Sequence, residues 1–220
     1  MKLQTILAIE SAIGDGSISL WRGATKGSLE TSDSNASRAE KIISEIDALL
    51  HNASVSKGEL DLIAVSVGPG SYSGIRIGVS TALGLGHALG IPVTGVSALE
   101  ALASGVPAQK VIAVVPIGRS DWAWQIFEPD PDGKKRAIAD PLIDPITTFP
   151  ESLNDHPGLP IVAPVHCVES LQDITGATRT VIEIESSLAS AIARLAAQRG
   201  RSLSEPKPIY MRNAVARSGT

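Results

Sequence analysis

The chain has 220 residues, a formal net charge of −4, and a composition that is 43% hydrophobic but only 3% aromatic. This length suits one large domain or two small ones around an aliphatic core. A protein that binds nucleic acid on its own usually has a basic surplus, which this chain lacks. Its single cysteine, Cys167, excludes an internal disulfide and a zinc site built from cysteines. The first residues lack the apolar core of a signal peptide and no run approaches membrane-spanning length, so a cytoplasmic protein without membrane contact is expected.

The first half of the chain alternates predicted strands and helices. Ile6–Glu10 and Ser17–Arg22 are expected to form a hairpin, because a short glycine-containing turn separates them. The polar residues 25–36 are expected to form a loop or a ragged third strand. Ser37 and Glu40 form a capping box, after which apolar residues recur at helical spacing.

The most informative segment joins a buried strand to a helix through a glycine-rich turn. The apolar run Leu62–Val67 enters the turn Gly68–Gly74, and a helix rich in small residues follows. Such a junction points backbone N–H groups and the positive end of a helix toward one place. It is therefore either an anion cradle or a rigid packing corner, and the residues alone favour neither. The candidate anion or nucleotide loop consists of Gly68, Gly70, Ser71, Ser73 and Arg76.

Small residues recur four apart in the helix after the turn, namely Gly74, Gly78, Ala82 and Gly86. Glycine destabilises a helix by about 1 kcal/mol relative to alanine, so close packing against a neighbour must compensate. That neighbour is either another part of the same chain or another subunit.

A second unit is expected from about residue 106 onward. A helix is predicted over Leu188–Gln198, and the proline-rich residues 140–164 are expected to be mostly loop. The order of elements indicates two related α/β halves. The predicted strands of this unit are Lys110–Val115, Trp122–Phe127, Ile161–Ala163 and Thr180–Ile184.

Catalytic chemistry has little support in the residues. The four histidines are dispersed without a His-x-x-x-His pair, so each is expected to be structural. His166 and Cys167 are neighbours in sequence, and such side chains rarely face each other. The spacing of the glycine turn excludes a P-loop, a dinucleotide fingerprint and a nucleophile elbow. Glu10, at the end of the first strand, is either a catalytic carboxylate or a solvated strand end.

Three stretches of the chain match the pattern of one known family. The stretch from Gly68 is GPGSYSGIRIGVSTALGLGHALGIPVTGVSALEALA, similar to GPGSFTGLRIG…GLA…IPV.GVSSLEALA in that family. Near the start, ILAIES is similar to its ILAIDTS, and near the end PKPIYMRNA is similar to its P.YLR. The chain thus resembles the TsaB (formerly YeaZ) family of bacterial threonylcarbamoyladenosine biosynthesis proteins. The resemblance implies an α/β protein of the actin/Hsp70-like ATPase (ASKHA) fold, with two αβ subdomains of mixed sheets flanked by helices, here 1–105 and 106–220.

The resemblance also implies a scaffold with no catalytic residues. Such proteins are regarded as non-catalytic paralogues of TsaD, the metal-dependent transferase that modifies N6 of the adenosine beside the anticodon in ANN-decoding tRNAs. They pair with TsaD through their first two main helices, which are 37–52 and 73–89 here, and the ATPase TsaE joins them. A homodimer is expected when TsaD is absent, and tRNA contact only through the complex. The mapped interface residues are Ala39, Ile42, Ile43, Ile46, Gly74, Gly78 and Ala82.

Metal and nucleotide sites are weakened where this chain departs from the family. SRAEKIISEID lies where TsaD carries a histidine-x-x-x-histidine pair, so no metal is expected, nor the protease activity of the M22 glycoprotease-like group. The family's Asp-Thr-Ser is replaced by Glu10-Ser11-Ala12, and its Asp-Ala-Arg by Pro116-Ile117-Gly118. Both changes remove polar groups from the cleft between the subdomains. No cofactor is therefore expected beyond weak binding of ATP or ADP.

Two further hypotheses remain open at this point. The first is an independent nucleotide-binding enzyme or switch, in which Gly68–Ser73 cradles phosphate and Glu10 orients Mg²⁺. The second concerns residues 191–220, which hold six Lys or Arg against Glu205 alone. There the basic tail from Arg199 to Arg217 touches tRNA or an acidic partner surface, the alternative being a solvated terminus.

Overall fold

A computed structural model describes residues 4–23, 25–30, 38–106, 108–176, 179–184, 187–200 and 203–211, with the backbone alone for 25–30 and 38–40. These residues form two β-sheets and six α-helices. The strands are β1 (Thr5–Glu10), β2 (Ser17–Arg22), β3 (Thr25–Glu30), β4 (Leu62–Ser66), β5 (Val93–Val96), β6 (Val111–Ile117), β7 (Asp121–Pro129), β8 (Lys135–Ala137), β9 (Leu142–Pro145), β10 (Ile161–Pro164) and β11 (Val181–Ile184). The helices are α1 (Arg38–Asn52), α2 (Tyr72–Leu89), α3 (Ala98–Ala103), α4 (Phe149–Ser152), α5 (Val168–Thr175) and α6 (Leu188–Arg199).

The two sheets have the same strand order. In the first sheet the order is β3-β2-β1-β4-β5, with β1, β2 and β3 antiparallel and β4 and β5 parallel to β1. In the second it is β8-β7-β6-β10-β11, with β6, β7 and β8 antiparallel and β10 and β11 parallel to β6. β9 also pairs with β7. The prediction of two related α/β halves is confirmed, and residues 25–30 are a third strand.

The first sheet is buried on both faces, as the unbroken apolar runs of β1 and β4 predict. Leu7 and Ile9 belong to one core with the inner residues of α1 and α2. Ile6 and Ala8, which alternate with them, belong to a second core with α6. The capping box predicted to start α1 consists of Ser37 and the side chain of Glu40, which both lie outside the described residues.

The last helix packs on the first sheet. Its apolar face, including Ala189, Ile192 and Ala196, lies against Ile6 and Ala8 of β1. Small residues on both sides permit this close approach. The amide of Ala189 also donates to Ser17 Oγ of β2 at 3.1 Å. The predicted division at residue 106 assigns α6 to the second half of the chain, whereas the structure packs it on the first sheet.

The second sheet has its own aromatic core. Trp122 and Trp124 of β7 pack with Phe149 of α4, and Trp124 Nε1 donates to Asp144 Oδ2 at 2.7 Å. Asp144 lies in β9, so β9 and α4 give structure to part of the proline-rich region that was expected to be mostly loop. α3 packs on β6 and also contacts α6, which joins the two halves.

Residues Leu203–Met211, here called the C-terminal strap, run along β5. The amide of Gly95 donates to the Ser204 carbonyl at 2.8 Å, and the Ser204 amide donates to Thr94 Oγ1 at 3.0 Å. Further along, the Ile209 amide donates to the Val67 carbonyl at 2.7 Å. β5 is the last strand of its sheet, so the strap supplies hydrogen-bond partners that an edge strand otherwise takes from water.

None of the helices in the described part of the chain is both long and apolar enough to cross a bilayer.

Candidate functional site

The turn after β4 packs directly on the hairpin between β1 and β2. Ser71 caps α2 by accepting a hydrogen bond from the Gly74 amide at 3.3 Å, and its own amide donates to the Ala12 carbonyl at 2.7 Å. A Cβ on Gly70 would lie 2.7 Å from the same carbonyl oxygen, so a side chain does not fit there. Of the two alternatives for this turn, these contacts favour the packing corner, because the amides of Ser71 and Gly74 already have partners within the chain.

Gly68 is required by both backbone and space. Its φ of +91° is one that residues with side chains rarely adopt. A Cβ at this position would also lie 2.6 Å from Ile75 Cδ1 and 2.9 Å from the carbonyl oxygen of Ile209. The turn is thus held between α2 and the C-terminal strap.

The remaining residues of the predicted loop face a small cavity and the helix surface. The guanidinium of Arg76 lies 3.9 Å from the ring centroid of Tyr72 and donates to the Tyr72 hydroxyl. Tyr72 in turn contacts Tyr210 of the strap, with ring centroids 4.7 Å apart. Ser73 is exposed at the mouth of a cavity of about 390 Å³, which residues 70–73 share with Asp121 and neighbours in the second half.

The small-residue stripe of α2 packs inside the chain. A Cβ on Gly74 would lie 2.1 Å from the Ser11 carbonyl oxygen, and one on Gly78 would lie 2.3 Å from Ser11 Oγ. A Cβ on Gly86 would lie 2.3 Å from Val93 Cγ2, and Ala82 is fully buried. The structure therefore corrects the interface prediction for Gly74, Gly78 and Ala82, because the end of β1 and the sheet beneath already fill the space beside them.

The predicted interface residues of α1 divide into two groups. Ile42 and Ile46 are each only 3% exposed and belong to the core of the first sheet, so they too are corrected to internal packing. Ile43, in contrast, is 46% exposed. The side chain of Ala39 lies outside the described residues.

A different set of residues forms the outer face of α1 and α2. Leu83 is 47% exposed, and Gly84 beside it has open space where a Cβ would be. Leu83 and Gly84 lie on the side of α2 opposite its buried stripe, and Ile43 is exposed on α1. Leu83 and Gly84 were not among the predicted interface residues, although the helical period indicates them: once positions 74, 78 and 82 face inward, positions 80, 83, 84 and 87 face outward.

A cleft of about 700 Å³ lies between the two halves of the chain. Glu10 and the β1–β2 turn line one side, and residues of the second half, among them His166 and Glu183, line the other. The halves meet at Gly14, where an added Cβ would lie 2.9 Å from His166 Cε1. Ile13, Leu102 and Leu188 are among the residues that add apolar surface to the cleft.

Glu10 is buried beneath this cleft and bonds to the backbone of the turn. Its side chain is 3% exposed, and Oε1 accepts hydrogen bonds from the amides of Ala12 at 2.6 Å and Ile13 at 3.0 Å. Glu10 is therefore not a solvated strand end. It also lines a different cavity from the Gly70–Ser73 turn, so the structure does not bring the two parts of the hypothetical nucleotide site into one pocket.

Within the described residues, no group of three or more His, Cys, Asp or Glu side chains is placed to hold a metal ion. Cys167 is 3% exposed, and burial raises the pKa of its thiol to about 12. A thiol of this kind is inert near neutral pH. His166 packs against Gly14, which gives this histidine a structural contact between the halves.

The basic C-terminal region is partly committed to internal contacts. Arg199 donates to both carboxylate oxygens of Glu100, at 2.7 and 2.5 Å, and to the carbonyl of Gly95 at 3.0 Å. Lys207 pairs with Glu205 at 3.0 Å. The other end of the predicted tail, including Arg217, lies outside the described residues.

Comparison with known proteins shows which family part of the chain resembles. A model of the family "TsaD: tRNA N6-adenosine threonylcarbamoyltransferase" matches residues 33–125. The TsaB protein of Escherichia coli is 29% identical over 133 residues, which cover 58% of this chain and 57% of that protein. An uncharacterised protein of Mycobacterium tuberculosis is 35% identical over 105 residues, or 46% of this chain and 49% of that protein. The matches thus span about half the length of the curated relatives.

Solved structures match a larger part of the chain than the sequence relatives do. YeaZ from Pseudomonas aeruginosa superposes with a TM-score of 0.73 at 20% identity, covering 94% of this chain and all of that one. The chain is thus similar to TsaB/YeaZ proteins in part of its sequence and in its fold. The ethanolamine utilisation protein EutJ of Carboxydothermus hydrogenoformans superposes with a TM-score of 0.50 at 14% identity, over 86% of this chain and 88% of that one. The predicted resemblance to the TsaB/YeaZ family and the predicted actin-like α/β fold are both confirmed.

Proposed function

We propose that this TsaB-like chain is a non-catalytic scaffold subunit of the complex that installs threonylcarbamoyl on N6 of the adenosine next to the anticodon in ANN-decoding tRNAs. It acts by pairing with TsaD, and TsaE joins the larger assembly. The protein contacts tRNA only through the complex. It works in the cytoplasm, where the tRNA is modified. The observation that carries the proposal is the exposed outer face of α1 and α2, on the helices where family members pair with TsaD.

The outer face suits a close helix–helix contact. Ile43 and Leu83 supply apolar surface, each close to half exposed. Gly84 allows a neighbouring helix to approach the backbone of α2, because no atom lies within 4 Å of where its Cβ would be. The same face is available to a second copy of the chain, so it forms a homodimer when TsaD is absent.

The test is co-purification with the TsaD of the organism that encodes the chain. Leu83→Asp and Gly84→Arg introduce a charge or bulk on the outer face without touching the core, and both are expected to abolish the complex and the homodimer. Leu142→Asp is the matched control, since Leu142 is 50% exposed on β9 and lies far along the chain from both helices. A complex that survives both outer-face changes contradicts the proposal. Gly78→Arg would instead collide with Ser11 inside the chain, so it would test folding rather than the outer face.

The second candidate is a nucleotide switch, and one observation favours it: the cleft of about 700 Å³ is within the range of sites that hold small ligands. Isothermal calorimetry of the isolated chain with ATP and ADP distinguishes the candidates. Low-micromolar binding supports the switch. Binding that is weak or undetectable supports the scaffold.

A further inference from the structure

The β1–β2 turn has the geometry of an anion site. Two consecutive amides, those of Ala12 and Ile13, point to a single oxygen atom, Glu10 Oε1. Successive backbone N–H groups that converge in this way bind anions such as phosphate and carboxylate. In this chain the anion is the carboxylate of Glu10.

We propose that Glu10 is an internal anion that permanently occupies this amide site and holds the interdomain cleft in one geometry without a bound ligand. The inference goes beyond the scaffold function and does not depend on it. The ligands that the two turn amides would otherwise bind are oxyanions, and the Glu10 carboxylate excludes them.

Burial and bond length make the carboxylate a strong competitor. Glu10 is 3% exposed, and its 2.6 Å contact to the Ala12 amide is at the short end for a charge-assisted bond. Because the carboxylate is covalently attached, it loses no translational freedom on binding, whereas a free anion does. A phosphate group from solution must therefore displace a better-placed anion.

The turn transmits this constraint to the second half of the chain. Gly14 follows Ile13 directly and packs against His166 across the cleft. Gly16 closes the turn by donating its amide to the Ile13 carbonyl at 3.0 Å. Fixing the amides of Ala12 and Ile13 thus fixes the point at which the halves touch, so that their arrangement does not respond to nucleotide.

The test removes the internal anion and supplies another one. In the full-length Glu10→Ala variant, sodium acetate or inorganic phosphate is expected to raise the melting temperature by about 2–4 °C, relative to NaCl at the same ionic strength and at several times the dissociation constant. The wild type is expected to show no such difference. Glu183→Ala is the control, because it removes another cleft carboxylate without emptying the amide site.

Amide NMR shifts of Ala12 and Ile13 give the site-specific readout. Both proton signals are expected to move upfield in Glu10→Ala and to return when acetate is added. If Glu10→Ala does not fold, the same upfield movement in the isosteric Glu10→Gln, which keeps the shape but loses the charge, supports the proposal. The proposal would be overturned if neither anion raised the melting temperature of a folded Glu10→Ala variant, or if both raised that of the wild type equally. Unchanged amide shifts of Ala12 and Ile13 in Glu10→Gln would also overturn it.

Discussion

Ser11 Oγ donates a hydrogen bond to the carbonyl of Gly74 at 2.8 Å, which joins the end of β1 to the first turn of α2. The same serine occupies the space beside Gly74 and Gly78, so both glycines are needed for the helix to reach the sheet. Close packing against Ser11 offsets the low helix propensity of these two glycines.

The first prediction compares two glycines of α2. Gly74→Ala is expected to lower the free energy of unfolding by about 2 kcal/mol, because the new methyl group meets the Ser11 carbonyl at 2.1 Å and the backbone must shift. Gly84→Ala is the matched change in open space, and there it should raise the free energy of unfolding by about 1 kcal/mol. Urea denaturation measures both. Equal effects at the two sites would contradict the assignment of the stripe to internal packing.

The second prediction concerns the ion pair between Arg199 and Glu100, whose side chains are 25% and 24% exposed. Arg199→Ala should cost about 2 kcal/mol of stability, because it leaves Glu100 and the Gly95 carbonyl without these hydrogen bonds. Arg22→Ala provides the comparison. Its pair with Glu59 is 49% and 43% exposed, so solvent screens it and the loss of stability is expected to be much smaller than for Arg199→Ala. Thermal denaturation followed by circular dichroism distinguishes the two outcomes.

The third prediction tests the C-terminal strap. Thr94 is 1% exposed, and its hydroxyl accepts from the Ser204 amide at 3.0 Å. Thr94→Val keeps the shape but removes the acceptor, so amide exchange across residues 203–211 should accelerate about tenfold, which corresponds to about 1.4 kcal/mol. Thr94→Ser retains the hydroxyl and serves as the control. Unchanged exchange in the valine variant would show that this bond does not hold the strap.

The fourth prediction concerns Cys167. At pH 8 the folded chain should react slowly with a thiol reagent and rapidly once denatured, since burial raises the thiol pKa to about 12. The neutral thiol is favoured in the folded state, so its contribution to stability is complete below the ordinary pKa of 9.0 and is lost as pH rises from there through about 12. Ser80→Cys places an exposed thiol on α2 as a reactive control. Equal labelling of the two cysteines would contradict the burial of Cys167.

The parts predicted well from the sequence are those with strong local signals. The apolar run of β4, the glycine turn and the helix that follows it all appear where their patterns placed them. The direction of the small-residue stripe did not follow from spacing, because four-residue repeats show that something packs closely without showing what. Here the neighbour is Ser11, more than sixty residues earlier in the chain.

Two other features depend on contacts that local patterns do not contain. The strap has no helical or alternating period, and its partners Thr94 and Gly95 lie about 110 residues away. The binding of Glu10 to the turn amides could not be predicted from the sequence, because a strand-end carboxylate has the same sequence signal whether it faces water, a metal or its own backbone.

The packing of α6 against β1 has a consequence for how the protein is made. On a ribosome, the first sheet emerges long before the helix that covers one of its faces, because Ile6 and Ile192 are separated by most of the polypeptide. A nascent chain stopped near residue 105 would hold an uncovered aliphatic layer and would be prone to associate with chaperones or with other nascent chains. The protein is therefore expected to reach its native state only after α6 has been synthesised, and residues 1–105 expressed alone are expected to aggregate.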